Sequence, residues 1–146
     1  MIWVIRDKRT ETAMYAIVCT DNRLGMLFNH HRQSQDRILR EYLLELTEGH
    51  RLFMNEYSGK LFIKSDRIRI SENFLLEAGN EDFCFVEDLP LLPALNQIDA
   101  LILCKWNRDY PGDFFLDLDF SSWHLAYAEE FPGSSHDQIT VEVYVK

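Results

Sequence analysis

Apolar and polar positions along this chain change period several times, and each change predicts an element. Residues 13–19 form a β-branched and aromatic run that reads as a strand, with a turn at 20–22 before a second strand over 24–28. Ile38, Leu39, Tyr42, Leu43 and Leu46 then recur at helical spacing. This predicts an amphipathic helix over 35–48, with Ser34 as its N-cap, Asp36 in the first turn and Gly49 at its end. Residues 51–57 read as a strand, 58–60 as a turn and the stretch from 61 as another strand. A short helix over 72–78 is expected to be capped by Ser71 and stopped by Gly79.

The second half reads mainly as β. Residues 82–87 alternate, and the prolines at 90 and 93 break the pattern before a short helical turn. Residues 100–106 are almost continuously apolar, as in a strand buried on both faces near the centre of a sheet. Further strands are expected over 113–120, 123–129 and 139–145, with one more near the start over 2–6. Together these predict one α+β domain over 1–146, a mostly antiparallel sheet with one clear amphipathic helix and one or two short ones.

Composition bounds the picture. A domain of 146 residues, 47% hydrophobic with 6 Gly and 4 Pro, can bury a core without staples. Cys19, Cys84 and Cys104 lack metal or disulfide spacing, so buried reduced thiols are expected. With no signal-peptide pattern and no membrane-length apolar run, the expected setting is cytoplasmic.

Charge changes the picture most. The net charge is −9, but residues 1–70 carry +3 and residues 71–146 carry −12. Such a field disfavours nucleic acid and anionic membranes, and favours capture of a basic protein. The acidic stretch 113–120 concentrates this charge. Strand alternation would send Phe114, Leu116, Leu118 and Phe120 to the core and Asp113, Phe115, Asp117 and Asp119 outward. Carboxylates crowded on one face repel, and a basic partner or a divalent metal on Asp117 and Asp119 would relieve them. Glu129 and Glu130 could extend the patch, with Phe115 and Tyr110 as apolar anchors.

Other motifs are sparse. His30 and His31 precede the helix without a third ligand at a zinc spacing. Ser135-His136-Asp137 has hydrolase residue types, but neighbours in sequence do not assemble a triad. No phosphate-binding glycine loop, dinucleotide fingerprint or zinc motif is present, so no cofactor, metal or catalytic set is expected.

Three stretches carry a resemblance: Arg32-Gln33-Ser34-Gln35-Asp36-Arg37 through Met54-Asn55-Glu56-Tyr57-Ser58, then Lys105-Trp106-Asn107-Arg108-Asp109-Tyr110-Pro111, then Gly133-Ser134-Ser135-His136 through Ile139-Thr140. They resemble small bacterial proteins, some of which bear the label ribonuclease Z. That activity implies an H-x-H-x-D-H zinc motif, which this sequence lacks. In size, acidity and motif content the chain is similar in type to immunity proteins of contact-dependent growth inhibition. The similarity implies a non-enzymatic immunity or antitoxin protein that covers the active site of a basic toxin, such as a nuclease. A Mg²⁺-dependent nuclease or phosphohydrolase using Asp117 and Asp119, with His136 as base, is the alternative. A regulatory or scaffold domain is the third reading.

Overall fold

The structure, a computed structural model, describes residues 13–146. The strand expected over 2–6 lies outside them. β1 (Met14–Thr20), β4 (Leu52–Met54), β5 (Ile68–Ile70), β6 (Phe83–Phe85), β7 (Ile98–Lys105), β9 (His124–Phe131) and β10 (Ile139–Val145) form a seven-stranded sheet in the order β5-β4-β6-β1-β7-β10-β9. β2 (Gly25–Phe28), β3 (His31–Arg32) and β8 (Phe114–Phe115) form a small second sheet in the order β3-β2-β8.

The expected mostly antiparallel α+β sheet is corrected here. β1 runs parallel to both β6 and β7, and β4 runs parallel to β5 and β6. Among the described strands of the large sheet, only β7–β10–β9 is antiparallel. The physical cause lies in the connections. Parallel neighbours need crossovers of a dozen or more residues. α1 (Arg37–Leu46), α3 (Phe74–Glu77) and a 3₁₀ turn (Leu92–Gln97) stand within the long connections to β4, β6 and β7. The near-continuous apolar runs of β1 and β7 are those of strands covered on both sides.

Alternation along β1 divides the core in two. Tyr15 and Ile17 join Leu39 and Leu43 of α1, with Leu52, Met54, Phe83, Phe85 and Ile102. Met14, Ala16 and Val18 join Phe74 of α3, with Leu91, Leu101, Leu103, Leu116 and Leu118, on the opposite face. The helix expected over 35–48 is present as α1, but its N-cap is Asp36 rather than Ser34. Gly49 takes φ +82 just beyond its end, a conformation open to glycine.

Local differences are also informative. The strand expected to begin at 61 is absent, and α2 (Glu56–Gly59) replaces the end of the preceding one. Asn55 makes that helix by accepting a hydrogen bond from the Ser58 N–H at 3.1 Å. The expected strand over 113–120 pairs only at β8, although Leu116 and Leu118 are buried and Asp113, Asp117 and Asp119 exposed beyond and before it. Among the described residues no helix is long and apolar enough to cross a membrane.

Candidate active site

In open sheets with parallel strands, ligands meet the carboxyl ends of strands where successive connections depart in opposite directions. In this chain that place is the end of β1. The chain leaves β1 for β4 on one side and later passes from β6, on that side, to β7 on the other. The Trp106 N–H donates to the Thr20 carbonyl at 3.0 Å, bringing the ends of β1 and β7 side by side.

Three segments converge on this edge. Asp21, directly after β1, is buried and accepts from the N–H groups of Arg23, Gly25 and Tyr110 at 2.9, 2.8 and 3.1 Å. Burial would raise its pKa, but these donors outweigh that effect and hold it below the usual carboxylate value. Asp21 thereby locks the β1–β2 turn to the loop carrying Tyr110.

The second carboxylate, Asp36, is 2% exposed and ties α1 to the loop before β10. It accepts from the N–H groups of Ile38 and Leu39 at 3.0 and 3.2 Å, and from those of Ser134 and Ser135 at 3.0 and 2.8 Å. Gly133 is required where it stands, because a β-carbon there would collide with the Asp36 carboxylate. Burial opposes the Asp36 charge, yet His136 and these backbone donors hold its pKa far below the ordinary carboxylate range.

His136 completes the arrangement. Its Nδ1 lies 2.9 Å from Asp36 Oδ2, and its Nε2 lies 2.9 Å from Ser34 Oγ and 3.1 Å from the Tyr110 hydroxyl. A charged carboxylate accepts from Nδ1–H, which leaves one lone pair on Nε2 of the neutral ring for the Ser34 hydroxyl, while the Tyr110 hydroxyl donates to Ser34 Oγ at 3.4 Å. The ring stacks on Trp106 with centroids 4.6 Å apart and planes at 20°, so its orientation is fixed. Hydroxyl, imidazole and carboxylate are therefore in series, the geometry that activates an oxygen nucleophile.

A partly buried ion pair borders this group. Arg32 Nε and Nη2 donate to Glu87 Oε2 and Oε1 at 2.8 and 2.9 Å, and Ser58 Oγ donates to Oε1 at 2.7 Å. Burial works against the Arg32 charge, and Glu87 more than offsets it, raising the pKa. Ser34, Cys19, Leu39, Phe85, Glu87 and Trp106 line a crevice between α1 and the sheet with a cavity volume of about 20 Å³, room for a single water. The Cys19 thiol is pushed well up, first by its hydrogen bond to Cys104 and then by burial, so it stays protonated. Thr20 Oγ1 and Gln33 Oε1, at the same edge, are buried without partners among the described residues.

The residues expected to form an acidic docking strip are dispersed. Asp113 accepts from the Asn29 N–H at 3.0 Å, and Asp117 from the N–H groups of Leu91 and Leu92 at 2.8 and 3.1 Å. Asp119 accepts from Ser121 Oγ at 2.7 Å, and Phe115 stands 46% exposed on β8. Glu129 and Glu130 lie on β9 of the other sheet, where Tyr42 and Tyr127 donate to Glu129 and Gln138 to Glu130. Tyr110 is half-buried beside His136. No group of three or more His, Cys, Asp or Glu among the described residues could hold a metal. His136 bonds Asp36, neither Asp117 nor Asp119, and Asp137 is exposed. Sequence reasoning missed Ser34 and Asp36 as site residues because both carried a sufficient local explanation as helix-start residues.

No family model matches the chain, and no curated protein matches it. Among solved structures it is similar to dihydrofolate reductase from Enterococcus faecalis complexed with NADP(H) and RAB-propyl. That match has a TM-score of 0.65 at 12% identity, over 91% of this chain and 95% of that one. The chain shares that protein's fold. At this identity the likeness extends to fold alone.

The finding corrects the expectation of a non-enzymatic immunity or antitoxin protein of growth-inhibition systems, because the chain is built on a fold that an enzyme uses. The acidity misled for a physical reason: Asp21, Asp36, Asp82, Glu87 and Asp117 are engaged by the chain's own donors. They contribute to the charge count while bonding within the chain itself.

Proposed function

We propose that this protein is an enzyme that cleaves a small acyl substrate at the carboxyl-end crevice, with Ser34 as nucleophile. The observation that carries this reading is the 2.9 Å contact of Ser34 Oγ with His136 Nε2, continued at 2.9 Å from Nδ1 to Asp36. Nε2 takes the Ser34 proton as Oγ attacks the carbonyl carbon, and Asp36 stabilises the imidazolium. The bond from the carbonyl carbon to the leaving group then breaks as Nε2 gives that group its proton, leaving an acyl–serine ester. Water, deprotonated by Nε2, attacks the ester carbonyl, and the bond to Oγ breaks as Nε2 returns the proton to Ser34, releasing the acid. The Tyr110 hydroxyl, 3.4 Å from Ser34 Oγ, is the donor available to the developing oxyanion. Gln35 and Arg40 form the rim, and their side chains must move aside to admit substrate. In this reading the enzyme works in the cytoplasm, a reducing setting that leaves Cys19 and Cys104 as thiols.

The nucleotide named with the structural neighbour does not carry over. Phosphates bind where helix N-termini present free N–H groups. Here Asp36 occupies the start of α1, Asn55 and Glu72 occupy the start of α2, and Asp117 occupies the start of the 3₁₀ turn. Glu87 and Asp88 follow β6 at the same edge. Those three helix starts therefore do not fit a dinucleotide's phosphates, and among the described α-helices only α3 starts without a side-chain cap.

A fluorophosphonate probe tests the nucleophile directly. Labelling should map to Ser34 by peptide mass, vanish in S34A and fall sharply in H136Q. Hydrolysis of p-nitrophenyl acetate should drop by about 100-fold or more in S34A. Equal labelling of S34A and the unaltered chain, with both folded by circular dichroism, would remove Ser34 from the chemistry.

A further inference from the structure

A second cavity lies away from Ser34, between α2 and edge strand β5. Its volume is about 520 Å³, within the range of small-molecule pockets. Phe62, Ile68 and Ile70 supply apolar walls, and Lys60 and Lys64 stand in the lining. Phe62 is held edge-on against Phe85 with centroids 5.3 Å apart, so the inner wall is anchored on the core. Gly59 makes room for the outer one, because a β-carbon there would lie 2.6 Å from Ile70 Cδ1. Ile70 itself remains 48% exposed, an apolar surface that lacks a cover among the described residues.

Charge selects the occupant. Both lysines are exposed, and neither ammonium has an ion-pair or hydrogen-bond partner among the described residues. Among the described residues Glu56 is the lining's one acidic side chain, so their contribution to the mouth is net positive on a chain of net charge −9. A cationic ligand would be repelled by that pair of charges, and a neutral one would gain nothing from them. An ion of opposite sign attached to an apolar body satisfies both parts of the lining.

We infer that this pocket binds a small amphiphilic anion, an alkyl or aryl carboxylate, with its body against Phe62, Ile68 and Ile70 and its charge at Lys60 and Lys64. The site is separate from the crevice at Ser34, and its failure would leave the acyl-transfer reading untouched. Decanoate and decanol titrated into the ¹⁵N-labelled full chain test it. Decanoate should shift amides within residues 59–70 saturably, while decanol should bind about 10-fold more weakly or worse. The K60E/K64E variant should weaken decanoate by at least about 10-fold without altering the fold, since both positions are exposed. I70W should fill the cavity and abolish the shifts while fluorophosphonate labelling of Ser34 is unchanged. Absence of saturable shifts, shifts centred elsewhere, equal affinity for decanol, or unchanged binding by K60E/K64E would each overturn the proposal.

Discussion

Two acidic regions of this molecule look alike in sequence and differ in physical role. At the carboxyl end of the sheet, Asp21, Asp36 and Glu87 are buried, and each is surrounded by directed donors. Along 113–130, Asp113, Asp119, Glu129 and Glu130 are exposed and make contacts near the surface. A buried carboxylate must be hydrogen-bonded or paired, so its neighbours are fixed by the fold. An exposed one is relieved by water and salt, and constrains its surroundings little. Net charge weighs the two groups equally, whereas burial separates them.

The largest test of this contrast is D36A. It removes a helix cap, the partner of His136 and the tie to Ser134 and Ser135 together, and should cost about 4 kcal/mol by urea unfolding. D36N isolates the charge. Asp36 has a depressed folded-state pKa, so its contribution is complete above the ordinary carboxylate value near 3.9 and is lost as pH falls toward the folded value. The unaltered chain should therefore lose stability on acidification more steeply than D36N. Parallel profiles would show that the Asp36 charge adds nothing to the fold.

Next comes E87Q, which leaves Arg32 charged in a partly buried setting and should cost about 2 kcal/mol, read from the same unfolding curves. D117A removes the acceptor at the start of the 3₁₀ turn, and about 1 kcal/mol should be lost. The smallest effect belongs to D113N with E130Q, which should leave Tm within about 2 °C. A large loss from this last pair would erase the distinction between the two regions.

Much of the fold was legible because it is written in local period. The apolar runs at β1 and β7 and the stripe of Leu39 and Leu43 announced strands and a helix at nearly the observed places. Strand direction was not legible, since a central strand has the same composition whichever way its neighbours run. The site was less legible still. Ser34 and Asp36 resemble helix-start residues, and His136 resembles a turn residue beside two serines. Its contact with Asp36 joins positions 100 apart.

By itself, then, the sequence determined which segments are apolar, where the helix runs and that the chain is acidic, because these follow from side-chain chemistry and nearest neighbours along the chain. Only tertiary structure decided that β1 pairs in parallel on both sides, that several carboxylates are satisfied internally, and that one imidazole stands between a serine and an aspartate. Those facts depend on which distant segments the packed core brings within hydrogen-bond distance, and local pattern does not encode that distance.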